Sequence, residues 1–269
     1  MNIYKAFLLT AIIIGLDYGL DYGIAHLLKL YFESNDSLET LEALYQTISL
    51  INILFTLITY FIVIKVFEIT AIWNKETFST KSIKASHIIY LIIIATGLEL
   101  MERPFFDFKL ILDKIHDIPL EPYSHYEREN ITLVYLSISS LIVAPIFEEI
   151  IFRKHMFTKL AQKYSLNISI LISSFCFALI HLPSYRNLLP TFIVGIICCL
   201  IYIKTKRIIY TITFHFIGNL SWLILIIFGE KYYSWIYRFE FGFMYWVVVC
   251  FGLLLVIFGL KKITVANKV

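Results

Sequence analysis

Runs of about 20 residues that lack charged side chains recur along this chain, and few folds accept them. Residues 208–228 and 242–260, for example, contain no Lys, Arg, Asp or Glu. A helix crossing the hydrocarbon core of a bilayer takes about 20 apolar residues. With 59% of 269 residues hydrophobic, the chain has enough for roughly eight such crossings. Charged residues make up only 16%, too few to coat a soluble globule of 31.5 kDa with a mean hydropathy of +0.78. The formal net charge of +3 is far below what a nucleic-acid-binding face concentrates, so no polyanion partner is implied.

The low-charge runs predict spans at about 4–28, 48–72, 86–101, 131–161, 168–182, 188–204, 208–228 and 242–260. Backbone polar groups in lipid must bond within their own segment, which makes these spans helices. An outer-membrane barrel needs short alternating strands, whereas Ile53 to Ile64 is apolar on nearly every side. The N-terminal run has no small-residue cleavage site before Asp17 and Asp21 and is expected to stay as the first span. The expected fold is therefore an all-α polytopic membrane helix bundle of about eight transmembrane helices. No internal repeat or linker divides it, so residues 1–269 read as a single membrane domain.

Lys and Arg set the orientation. Fourteen lie at the termini and in the even-numbered connections, including Lys5, Lys75, Lys154, Lys204 and Lys261; eight lie in the odd-numbered connections. Both termini are predicted cytoplasmic. The acidic loops at about 32–47 and 102–130 carry no motif, although the longer one has room for an interfacial helix. Cys176, Cys198, Cys199 and Cys250 fall inside apolar runs without C-x-x-C spacing and read as small core side chains.

Ionisable groups inside spans are expensive and need a partner or a task. Span four reads Ala144-Pro145-Ile146-Phe147-Glu148-Glu149-Ile150-Ile151-Phe152-Arg153. Glu149 and Arg153 are four apart and share a helix face, where they can pair. Glu148 is rotated about 100° from Glu149 and is free to point elsewhere. Pro145 opens the backbone just before the acids. An interfacial salt bridge explains this motif equally well. Span five ends Phe177-Ala178-Leu179-Ile180-His181, and a lone His in an apolar helix is more often a hydrogen-bonded packing residue than a catalyst. In span seven His215 and Asn219 are four apart and on one face; the plainer alternative is an interhelical hydrogen-bonding pair. Glu148 and His181 are equidistant from the polar stretch Gln162 to Asn167, where Asn167 is a candidate helix cap, so their depths are expected to match.

Taken together, E-E-x-x-x-R at Glu148, Glu149 and Arg153, F-x-x-x-H at Phe177 and His181, and H-x-x-x-N at His215 and Asn219 resemble the signature of the CAAX protease and bacteriocin-processing (CPBP, or Abi) family of intramembrane proteases. The resemblance covers about residues 131–228. It implies an eight-helix bundle with a cavity open within the membrane, and hydrolysis of a peptide bond by water. Glu148 would then activate the water with help from His181, His215 and Asn219 would stabilise the oxyanion, and Glu149 and Arg153 would form the structural pair.

Metal dependence stays open. Glu148, His181 and His215 are candidate ligands for a catalytic zinc with one open position, and family members are often called metalloproteases. There is no H-E-x-x-H, and Glu148 as a ligand is less available as a base, so metal-independent activation is slightly favoured. Asp17 with Asp21, and Lys65 with Glu68, are read as local water-binding or ion pairs, His155 as interfacial among basic residues, and Glu99 and Glu102 have no assigned role. The expected function is an integral membrane endopeptidase in a bacterial cell membrane. Its expected partners are a peptide or membrane-anchored substrate and the lipid bilayer, with no nucleic acid. The rivals are a non-catalytic scaffold or bacteriocin-immunity protein of the same fold, and a transporter with a proton-linked Glu, against which the missing repeat argues.

Overall fold

A computed structural model describes residues 1–32, 38–70, 75–79, 83–118, 130–182 and 184–263. It is helical throughout, with no strand among the described residues. In chain order the helices are α1 (Ile3–Phe32), α2 (Leu38–Val66), α3 (Ala85–Met101), α4 (Phe108–Ile115), α5 (Leu133–Ala161), α6 (Leu166–Leu179), α7 (Tyr185–Thr205), α8 (Ile208–Phe228), α9 (Glu230–Tyr237) and α10 (Phe243–Lys262). A single turn, Arg103–Phe106, extends α3. Among the described residues five stretches are long and apolar enough to cross a membrane: Ala85–Phe106, α5, α7, α8 and α10. Large apolar side chains lie exposed along them, such as Phe251, Leu254 and Phe258 on α10, as lipid contact allows and water would not. The chain is a polytopic helical membrane protein.

The helix ends differ from the predicted spans for local reasons. α2 begins at Leu38, so part of the acidic stretch expected as a loop is helical. It stops at Val66, and Glu68 takes a left-handed backbone with φ of +51°. Lys65 and Glu68 therefore lose their helical spacing and make no ion pair. α6 has 14 residues, about 21 Å of rise, short of a roughly 30 Å hydrocarbon core. Its cap is Ser165, whose Oγ accepts from the Ile168 N–H at 3.4 Å, rather than the expected Asn167. The interfacial helix foreseen in the long acidic loop is α4; residues 119–129 of that loop lie outside the described residues.

The described residues divide into two compact units. The first comprises residues 1–74 and 127–180. In it α1 packs on α2 and α6, α2 meets the start of α5, and α6 lies along the C-terminal half of α5. Its buried side chains include Leu9, Ile13, Val63, Ile150, Ile151, Phe152, Met156 and Phe177.

The second unit comprises residues 75–126 and 181–269. Its core joins Leu91, Ile94 and Leu98 of α3, Ile197, Cys198 and Ile201 of α7, Tyr210 and Phe214 of α8, and Val256 of α10. α3 and α10 approach until their backbones meet: a Cβ on Gly97 would lie 2.7 Å from the Gly252 carbonyl oxygen, and one on Gly252 would lie 2.6 Å from that of Gly97. In lipid, where burying apolar surface gives no drive to associate, such close packing is what holds helices together. Three of the four cysteines, Cys176, Cys198 and Cys199, are buried as expected, whereas Cys250 is exposed on α10.

Candidate active site

α5 is an α-helix twice interrupted by wider π-helical turns, at Ser139–Val143 and Glu149–Phe157. Pro145, which has no N–H to offer, follows the first. Such turns shift hydrogen bonding from i−4 to i−5 and are frequent at functional sites. The second is stitched to α6 by Ser173, whose Oγ donates to the Phe152 carbonyl at 2.7 Å.

Glu149 and Arg153 form the ion pair foreseen from their spacing, at 2.9 Å, with both side chains fully buried. The guanidinium carbon also stands 3.9 Å from the centre of the Phe177 ring, near enough for a strong cation–π contact. Phe177 in turn meets Phe152 edge-on. Charge, counter-charge and aromatic face thus close on one another, so neither ion has to face hydrocarbon alone.

Glu148 is also buried, but it is held differently. The Tyr60 hydroxyl of α2 donates to its Oε1 at 2.9 Å, and the Tyr60 ring stacks on Phe147 at 5.3 Å. The two adjacent carboxylates thus have different described partners, Arg153 for Glu149 and the Tyr60 hydroxyl for Glu148.

The remaining candidates lie in the second unit. His181 sits in the turn just beyond α6, which ends at Leu179, so F-x-x-x-H straddles a helix end and His181 is not a helical residue as expected. His215, buried, and Asn219, half-buried, lie one turn apart on α8. Within either unit, no three His, Cys, Asp or Glu among the described residues are grouped as a metal site.

With this geometry in place, the likeness to known proteins is specific. Residues 130–221 match the family described as type II CAAX prenyl endopeptidase Rce1-like. A relative named "Putative membrane peptidase YdiL", from Bacillus subtilis (strain 168), is 36% identical over 109 residues. The match to that relative covers 40% of this chain but only 38% of the relative's length. No solved structure matches.

The family segment contains Glu148, Glu149, Arg153, Phe177, His181, His215 and Asn219. Tyr60 lies outside it, 88 residues before Glu148. Sequence reasoning passed over Tyr60 because a tyrosine in an apolar run carries no spacing signal. Ser173 was hidden for the same reason. His155, expected at the interface, is buried in α5. Asp17 has a described place in α1, while the side chain of Asp21 lies outside the described residues. Glu99, left without a role, is an ion-pair partner of Arg103 at 3.3 Å.

Proposed function

We propose that this protein is an intramembrane endopeptidase that hydrolyses a peptide bond of a peptide or membrane-anchored substrate with water activated by Glu148. One observation carries the proposal. Two adjacent acids are buried at the centre of the matched signature: Glu149 pairs with Arg153 at 2.9 Å, and Glu148 accepts from the Tyr60 hydroxyl at 2.9 Å. A scaffold has no need for the second acid, whose burial costs stability. The match of residues 130–221 to a family described as type II CAAX prenyl endopeptidase Rce1-like supports the same chemistry.

In this mechanism Glu148 takes a proton from water as the oxygen attacks the scissile carbonyl carbon, and His181 assists. His215 and Asn219 donate to the oxyanion; each such donor is worth about 3–4 kcal/mol in comparable sites. The proton then passes to the leaving nitrogen as the C–N bond breaks. The chain is expected to sit in a bacterial cell membrane with both termini on the cytoplasmic side.

The test is cleavage of a peptide set, prenylated and unprenylated, by the purified protein in liposomes, read by mass spectrometry. Glu148→Gln keeps an oxygen for Tyr60 to bond and should fold normally, yet lose about 10²–10⁴ in rate. A variant as active as the native protein ends the hydrolase proposal. A cellular phenotype that survives both Glu148→Gln and His181→Ala points instead to a scaffold or immunity role.

A further inference from the structure

The second unit contains a pocket of about 300 Å³ lined by Arg103, Asp107, Lys109, Arg186, Tyr233 and Tyr237, with Phe106 and Leu110 as its apolar wall. Asp107 is its single acid, and that acid is consumed from within. Its Oδ1 accepts from Arg103 at 2.7 Å and from the Tyr237 hydroxyl at 2.9 Å, and its Oδ2 accepts from Tyr245 at 2.8 Å. Asp107 is 1% exposed, so its charge cancels that of Arg103 and little else. Burial pushes the Tyr237 hydroxyl above the usual phenol range, which keeps it protonated as a donor. Lys109 and Arg186, by contrast, are exposed at the rim and make no ion pair among the described residues. Glu99 and Glu102 do not line the pocket, which therefore presents a net positive charge on a partly apolar floor.

Its level in the unit is defined by four helix ends. Arg103 lies in the last turn of the candidate span Ala85–Phe106, Arg186 lies in the first turn of α7, and α9 connects the end of α8 to the start of α10. The ends of apolar spans are where a bilayer's hydrocarbon gives way to headgroups. α9 bears the stacked Tyr233 and Tyr237, with Tyr232 and Trp235 beside them, the residue types enriched at membrane interfaces. On α4, Phe108, Leu112 and Ile115 are exposed at helical spacing, as an interfacial helix requires. On α4, Lys114 also makes a solvent-exposed ion pair with Glu240 at 2.7 Å.

We infer that this pocket binds the phosphate of an anionic lipid headgroup, with Lys109 and Arg186 as its charged ligands, Tyr233 beside them, and Phe106 and Leu110 against the start of the acyl chains. Arg103 is the buried strut that holds Asp107 and α9, and is not itself a ligand. The inference is independent of the protease reading, since none of these residues takes part in the proposed chemistry.

The test uses the full chain extracted from nanodiscs of mixed phosphatidylcholine and phosphatidylglycerol, with retained lipid counted by native mass spectrometry. Phosphatidylglycerol should be retained in preference. A Lys109→Gln/Arg186→Gln double variant, whose changes are at the exposed rim, should keep its thermal unfolding temperature and lose that preference by about tenfold. Equal retention of the two lipids by the native protein, or a double variant with undiminished preference, overturns the inference. So does a third outcome, in which inorganic phosphate alone stabilises the native protein but not the double variant while neither lipid is preferred: the site would then take a soluble anion.

Discussion

Glu148 and Glu149 are neighbours in sequence and differ in almost everything else. The pair formed by Glu149 and Arg153 has no solvent to fall back on, so truncating one member leaves the other as an uncompensated buried charge. Arg153→Met is accordingly expected to destabilise the protein by about 3–5 kcal/mol, seen as a lower unfolding temperature in detergent; an unchanged temperature would show that the pair is not structural. Tyr60→Phe is the milder experiment. It removes a single donor to Glu148 and leaves the ring stacked on Phe147, so stability should hold while cleavage falls about tenfold. A drop in stability with cleavage intact would assign Tyr60 to packing instead.

At the scale of elements, the contact of α3 with α10 depends on the absence of two side chains. Neither Gly97 nor Gly252 has room for a Cβ, because the nearest neighbours are backbone atoms that cannot rotate aside. Gly97→Ala should therefore force the helices apart at a cost of about 1–3 kcal/mol, whereas Gly15→Ala on α1, with nothing within 4 Å of the new carbon, should be neutral or stabilising. Comparing the two variants by thermal unfolding separates packing from helix propensity, and equal behaviour would contradict the close approach. α5 makes a related point: its π-helical turns and the Ser173 bond to the Phe152 carbonyl place the two acids, and none of this shows in the residue spacing.

For the whole molecule, the open chemical question is whether hydrolysis needs a metal. In the proposed mechanism Glu148, assisted by His181, takes the proton from water, so chelator treatment of the purified protein should leave cleavage within about twofold of the untreated rate, well inside the 10²–10⁴ that a lost base would cost. Loss of activity together with a stoichiometric metal, restored by zinc, would replace that mechanism. The membrane character, the helical class, the Glu149–Arg153 pair and the family segment were all legible in the sequence, because hydrophobic length and i, i+4 spacing are local properties that lipid and helix geometry translate directly. The end of α6 before His181 and the left-handed turn at Glu68 were not, since helix termini depend on competition between neighbouring turns, and nor was the exposure of Cys250, since an apolar run does not say which of its faces is packed. Only the tertiary structure determined that Tyr60 meets Glu148 across 88 residues and that Asp107 gathers Arg103, Tyr237 and Tyr245. Contacts of that range depend on which faces pack against each other, and a hydrophobic run reads the same from every side.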